Sequence, residues 1–426
     1  MEKPVSSPAS SYFRRGFGLT REIAPIVEAE YNSELVERIR AAGNQLTFGE
    51  GDSLVSIRLA DSFGFCYGVD RAVDYAYQAR VHFPERRLFL VGEIIHNPHV
   101  NSRLREMGIV FLYPGEDGCF DFSGILPEDV VILPAFGVTL DDFASLSATG
   151  CSLVDTTCGS VLNVWKRVDQ YAREGFTALI HGKYRHEETK ATASQVFRHP
   201  GGQYIVVFDL DEARLVMDYL ERAPGALSRA AFLEHFNGKT SPGFDPDLHL
   251  SRIGCANQTT MLAGESLEIA AEVGQALERR YRSEPGFDLT SHFQSFDTIC
   301  SATQERQDAI VTMMKDPSGP PDAMVVIGGY NSSNTNHLAV MCARWTATYH
   351  IADAEYINPG TGTIRFKPAG TLHGAPEIEA EDWLPPGAVS VGLTAGASTP
   401  NNKIGEAVER ILSTRGISIE APSRPG

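Results

Sequence analysis

The stretch SLVDTTC (residues 152–158) running into GSVLNVWKRVDQYARE (159–174) sets the fold class. A short apolar strand ends in a polar turn, a cysteine stands at the junction, and an amphipathic helix follows. The same pattern returns twice. DTIC (297–300) precedes SATQERQDAIVTMM, and the looser SFGFC (62–66) precedes YGVDRAVDYAYQAR. Around these units the grammar of strand, loop and helix repeats. RLFLVG leads to VNSRLREMG, VVILPAFG to TLDDFASL, TALIHG to HEETKATASQVF, and QYIVVFD to LDEARLVMDYLERA. AMVVIGG leads to SNTNHLAVMCARW and AVSVGLTAG to NNKIGEAVERIL. Short β-branched strands alternating with helices predict parallel βαβ units, hence an α/β protein. Three strand–Cys–helix units predict three related lobes, each offering a thiol at the carboxyl end of a strand, where open α/β sheets bind ligands.

The chain divides accordingly. Residues 1–52 read as an N-terminal extension, Ser/Pro-rich and disordered to about residue 11. A helix is expected over 20–42, carried by Ile23, Ile26, Val27 and Leu35. Residues 53–157 form a first α/β lobe, 158–299 a second with a Pro/Gly-rich insertion near 222–250, and 300–426 a third with a frayed tail after Arg415. KDPSGPPD (315–322) is a loop.

Composition narrows the function. With 426 residues, two or three domains are expected at roughly 150 residues each. The 42% apolar content and mean hydropathy of −0.15 fit a globular core, and no apolar run is long enough to span a bilayer. The 37 basic against 54 acidic residues give −17, which argues against general nucleic-acid binding. An anionic substrate must then be held by local dipoles and a few placed donors. Seven cysteines are too few for a disulfide scaffold, and MEKPVSSPASSYFRRGFG has no apolar signal region. A reducing compartment follows, in which a cysteine in a special setting is a ligand or a nucleophile.

Cys66, Cys158 and Cys300 have that setting. A helix N-terminus, carrying about half a positive charge, lowers a thiol pKa. The alternative is three inert buried thiols, but matching contexts favour ligands. Structural zinc takes four closed ligands at spacings absent here. A four-iron cluster held by three cysteines leaves one iron open. Cys342 reads as core, Cys119 and Cys151 as loop or strand-start residues, and Cys255 is ambiguous. Polar loops lie nearby in the pattern. Asn331–Asn336 and Ser398-Thr399-Pro400 each follow a strand and open a helix, which suits either an anion or plain capping. His96-Asn97 and His186-Glu187-Glu188 offer an imidazole to an anion and, in the second, a carboxyl to move protons. Asn257-Gln258-Thr259-Thr260 is a polar knot. No P-loop, G-x-G-x-x-G or H-E-x-x-H occurs.

GFCYGVDRAV, IIHNPHVN, DTTC, HGKYRHEETKATAS, ANQTTM, DTICSATQERQDA, GGYNSSNTNHLA and TAGASTP, in this order, resemble the 4-hydroxy-3-methylbut-2-enyl diphosphate reductase (LytB) family. The N-terminal RRGFG, PAFGV and HGKYRHEET are similar to its plant and cyanobacterial branch. The resemblance implies a three-lobed α/β trefoil and one [4Fe-4S] cluster on Cys66, Cys158 and Cys300. It implies a diphosphate held by His96, His186, Ser332, Ser333, Asn334 and Ser398. Glu188 would be the proton donor, and Thr259 would bind the substrate hydroxyl or relay a proton. The implied reaction is the last step of the non-mevalonate isoprenoid route, reductive dehydroxylation to isopentenyl and dimethylallyl diphosphate. The implied electron donor is a ferredoxin or flavodoxin, with no nucleic-acid or membrane partner, in a bacterial cytoplasm rather than a plastid. Two positions depart from the family. Phe136 replaces a histidine that helps hold the diphosphate in the short bacterial form, and Gly159 replaces a proline after the central cysteine. A redox-neutral dehydratase of the aconitase kind and a non-catalytic iron–sulfur sensor are the rival readings.

Overall fold

The computed structural model describes residues 11–296, 298–371 and 375–419. Asp297, almost all of the Ser/Pro-rich start and most of the tail after Arg415 therefore lie outside the described residues. The chain forms two compact units, one of residues 1–17, 71–94 and 104–300, the other of 18–70, 95–103 and 301–426.

The first unit holds two parallel sheets. One runs in the order Tyr12–Phe13, Ser152–Asp155, Val130–Leu133, Leu88–Val91, Ile109–Leu112. Its three central strands are buried at every residue. That is why they read as unbroken apolar runs: helices cover both faces of a parallel sheet. Tyr12–Phe13, expected in an extension ahead of the first lobe, is instead the edge strand of this sheet. The other sheet runs Phe293–Ser295, Ile253–Asn257, Thr177–His181, Gln203–Val207. The 222–250 insertion supplies the helices Arg229–His235 and Pro246–His249. Its Phe232, Phe236 and Phe244 belong to this sheet's core, so the insertion is structural.

The second unit is built on the order Ala347–Ile351, Ala323–Ile327, Val389–Ala395, Val55–Leu59, Gln45–Phe48, with only the last strand antiparallel. A small antiparallel sheet, Ile357–Asn358, Thr363–Phe366 and Ile378–Ala380, accompanies it. Val55–Leu59, read from sequence at the head of the first lobe, thus lies between the nearby Gln45–Phe48 and the sequence-distant Val389–Ala395. Val55, Ile57 and Leu59 join the apolar core of this unit. Buried Arg58 on the same strand donates to the carbonyls of Gly319 and Met313, tying down the 315–322 loop. The helix expected over 20–42 is two, Thr20–Tyr31 and Glu34–Ala41. Asn32 is extended, and the Ser33 side chain accepts from Val36 N to start the second helix.

The three α/β sheets carry one pattern cysteine each. Cys66 follows Val55–Leu59, Cys158 follows Ser152–Asp155, and Cys300 follows Phe293–Ser295. Each is the residue immediately before a helix: Tyr67–His82, Gly159–Arg173 and Ser301–Met314. No helix among the described residues is long and apolar enough to cross a membrane.

Candidate active site

The candidate residues form two sets, one in each unit. In the first unit, Cys158 caps the helix Gly159–Arg173 without a side-chain cap bond, and its N–H donates to Ala135 O at 2.9 Å. Ser160 Oγ donates to Cys300 Sγ at 3.5 Å, so the first turn of that helix ties the two cysteine segments together. The helix N-terminus lowers the Cys158 thiol, as the sequence predicts, but does not set the outcome. Burial pushes it above its ordinary range and the Cys300 sulfur adds to this, outweighing the N–H groups of Ser160 and Val161.

Glu188 and Cys300 are linked through the backbone of one residue, Thr259. Glu188 is 1% exposed, and its Oε1 accepts from Thr259 N at 2.6 Å. Thr259 O accepts from Cys300 N at 3.4 Å. Both backbone atoms of Thr259 are committed, which leaves its hydroxyl for a ligand. His186 caps the helix Glu187–Ser194, its Nδ1 accepting from Glu188 N at 3.2 Å, which places a neutral ring's proton on Nε2. The Phe136 ring meets the His186 ring edge-on at 5.4 Å. Phe136 therefore takes a packing position against an imidazole and brings no donor of its own.

Residues that the sequence reading left without roles hold this set together. Gln258, fully buried, accepts from Lys183 N and Thr189 Oγ1, each at 3.1 Å, and donates to Thr260 Oγ1 at 2.7 Å. Asn257 Oδ1 accepts from Thr298 Oγ1, fixing the strand to the turn before Cys300. Their signal was the run of buried amides and hydroxyls in ANQTT, but nothing local named the partners.

In the second unit, Cys66 N donates to Ala397 O at 3.2 Å, and Cys66 O accepts from Asp70 N at 2.9 Å to begin its helix. Ala397 N donates to Asn334 Oδ1 at 3.2 Å, and Ser398 Oγ donates to His96 O at 3.3 Å. These contacts bring Cys66, His96, Asn334 and Ser398 to one place. Ser332 caps the helix Ser333–Ala343, accepting from Thr335 N at 3.3 Å and from Thr335 Oγ1 at 2.9 Å. Capping and anion binding coexist there: both bonds use lone pairs of Ser332 Oγ, and its proton remains to donate. Pro400 is the N-cap of the helix Asn401–Ser413. Asn334 is 2% exposed, and its Nδ2 has no hydrogen-bond partner. A buried amide donor without an acceptor, beside a helix N-terminus, fits an anionic oxygen.

The remaining cysteines differ from these three. All seven are free. Cys66, Cys158 and Cys300 are half-buried, whereas Cys151, Cys255 and Cys342 are buried and Cys119 is exposed. Burial pushes Cys255 and Cys342 up to about 12, so both stay protonated thiols. Three half-buried sulfurs at helix starts, two of them close together, suit a thiolate-held cluster that substrate must reach.

The family model described as LytB protein matches residues 57–412. The chain belongs to the LytB family. Relatives named 4-hydroxy-3-methylbut-2-enyl diphosphate reductase agree over nearly the whole length. That of Thermosynechococcus vestitus is 47% identical over 412 residues, covering 96% of each chain. That of Synechococcus sp. strain RCC307 is 48% identical over 403 residues, covering 94% of this chain and 93% of its own. The solved structure of the E-1-hydroxy-2-methyl-but-2-enyl-4-diphosphate reductase from Plasmodium falciparum superposes with a TM-score of 0.56 at 19% identity. It covers 83% of this chain and 86% of its own, and shows the same LytB fold.

Proposed function

We propose that this chain reduces (E)-4-hydroxy-3-methylbut-2-enyl diphosphate to isopentenyl and dimethylallyl diphosphate, and that Cys66, Cys158 and Cys300 hold one [4Fe-4S] cluster. The division into lobes at 157/158 and 299/300, each lobe carrying one ligand, belongs to the same reading. The carrying observation is the Glu188–Thr259–Cys300 chain of hydrogen bonds, which sets a buried carboxyl one residue's backbone away from a cluster ligand.

When bound, the cluster supplies an open Lewis-acidic iron and a store of single electrons. The chain's residues do the rest. Asn334 Nδ2, the Ser332 and Ser333 hydroxyls, Ser398, His96 and His186 Nε2 bind the diphosphate, aided by the helix starts at Ser333 and Asn401. Fixing that end orients the allylic end. Oε1 of Glu188 is held by the Thr259 N–H, and the Glu188 carboxyl donates the proton that leaves with the substrate hydroxyl as water. Thr259 Oγ1 hydrogen-bonds that hydroxyl. The electron donor is a ferredoxin or flavodoxin, and the site of action is a bacterial cytoplasm, in keeping with the cyanobacterial relatives.

The test is an anaerobic assay of cluster-loaded protein with the hydroxylated diphosphate, with and without a one-electron donor. Formation of both five-carbon diphosphates only with the donor is expected. Turnover without a donor would point to the redox-neutral dehydratase. No conversion with an intact cluster spectrum would point to the sensor. Glu188→Gln is expected to lower product formation by about 10²- to 10⁴-fold while the cluster spectrum persists. Undiminished turnover in that variant would remove Glu188 from the mechanism.

A further inference from the structure

The segment Tyr12–Phe17 reaches the cysteine-bearing turn of the first unit from two sides. Its strand pairs in parallel with Leu153 and Val154, and Ser11 O accepts from Leu153 N at 2.8 Å. Beyond the pairing, the Tyr12 hydroxyl donates to Asp155 Oδ2, and Arg14 Nε lies 3.6 Å from the same oxygen. Asp155 is 5% exposed, and its other oxygen, Oδ1, accepts from Thr157 N at 2.9 Å. Thr157 is the residue before Cys158.

The carbonyl of that same residue is held from the other side. Arg71 Nη2 donates to Thr157 O at 3.1 Å, with its guanidinium over the Tyr75 ring at 5.1 Å. The segment closes on this group too. Gly16 has φ +65°, and a Cβ there would stand 2.8 Å from Tyr75 Cε1, so only glycine allows the approach. Phe17 N donates to Gln78 Oε1 at 2.7 Å, one turn further along the helix that carries Arg71 and Tyr75.

Both backbone polar groups of Thr157 are thus fixed by side chains that residues 12–17 brace. On the far side of the cysteine, Ser160 Oγ donates to Cys300 Sγ, but the residue next to Cys158 adds no constraint of its own. Gly159 has φ unconstrained by a ring, and a Cβ there would meet nothing within 4 Å. A proline at that position would stiffen the turn from within; a glycine leaves it free.

We propose that residues 12–17 are a strap that positions the Cys158 sulfur for its cluster, with Tyr12, Asp155 and Arg71 as positioning residues. The proposal rests on the reading of Cys158 as a ligand. Outer-shell groups of this kind orient a ligand and slow its dissociation.

The test compares full-length, cluster-loaded wild type with Tyr12→Phe, Asp155→Ala, Asp155→Asn and Cys158→Ser. The readouts are anaerobic bleaching of the visible cluster absorption by an iron chelator, and the alkylation rate of Cys158 in cluster-free protein followed by mass spectrometry. Tyr12→Phe is expected to release iron about 10-fold faster than wild type, and Asp155→Ala at least as fast. Asp155→Asn, which keeps an acceptor for Thr157 N, is expected to fall between wild type and Asp155→Ala. Alkylation of Cys158 is expected to quicken in the same order, with circular dichroism unchanged. If Asp155→Ala does not fold, Tyr12→Phe, which removes one hydroxyl, decides alone. Wild-type bleaching and alkylation rates in Tyr12→Phe would overturn the strap. A Cys158→Ser protein that keeps a wild-type cluster would instead overturn the ligand assignment; the alkylation rates would still decide whether the strap orders the turn.

Discussion

Gln258 illustrates how much of the site rests on a single side chain. Its Oε1 serves two donors from the HGKYRHEET segment, so its loss removes an acceptor from Lys183 N–H and strips the buried Thr189 hydroxyl of this acceptor. Gln258→Leu is expected to lower the unfolding free energy by about 1–3 kcal/mol, measured by urea denaturation, and to lower kcat through the displaced Glu188 helix. Unchanged stability would show that the two donors find other acceptors. At Phe136 the contact with His186 is edge-on packing. An aromatic pair of this geometry contributes about 0.5–1.5 kcal/mol, so Phe136→Leu is expected to raise KM about 2- to 10-fold with kcat nearly unchanged. A fall in kcat at constant KM would instead place Phe136 in the chemical step. The chemistry-bearing residue types were legible in the chain as written. The roles of Gln258 and Asn257 were not, because their partners lie 40 to 75 residues away in sequence.

At the scale of elements, the helix Ser333–Ala343 must start close against two glycine-bearing turns. A Cβ on Gly396 would lie 2.0 Å from Thr335 Oγ1, and one on Gly328, with φ +148°, would lie 2.7 Å from the same atom. Thr335 donates twice to Ser332, so moving it disturbs the capping hydroxyl and the adjacent Asn334. Gly396→Ala is therefore expected to weaken diphosphate affinity, seen as a raised KM or as loss of inorganic diphosphate binding by calorimetry. Wild-type affinity would show that the helix start tolerates the shift. The sequence announces this helix by its cap and by the preceding strand. It does not announce that two separate loops converge on one threonine, since close approach between backbones leaves only a glycine as its trace.

At the scale of the whole molecule, one buried imidazole links pH to stability. His350, on an inner-facing position of Ala347–Ile351, has Nε2 3.0 Å from Gly328 O and packs against Tyr330, with Lys367 as the nearby cation. Burial pushes its pKa down from about 6.5 to about 4, the Lys367 charge adding to the shift and the Gly328 carbonyl opposing it. Between these values the unfolded chain binds the extra proton and the folded one does not. The stability His350 contributes is complete above about 6.5 and is lost as pH falls through that window toward about 4. His350→Gln is expected to flatten this part of the stability–pH curve, checked by thermal melts from pH 7 to 4. An unaltered curve would mean that other groups dominate acid unfolding.

The residue order alone determined the α/β class, the alternation of strands and helices, the three cysteines at helix starts and the polar loops, because each is a local pattern of periodicity, capping or turn chemistry. Which strands share a sheet was decided only in three dimensions. Val55–Leu59 carries no mark of its partners; it lies beside Val389–Ala395 because that register buries Val55, Ile57 and Leu59 in one core. Tyr12–Phe13 is too short to declare itself a strand, and becomes one through Leu153, Val154 and Asp155. The same holds for the Cys158 thiol. A helix start predicts a lowered pKa, and burial, which no local pattern specifies, reverses the sign.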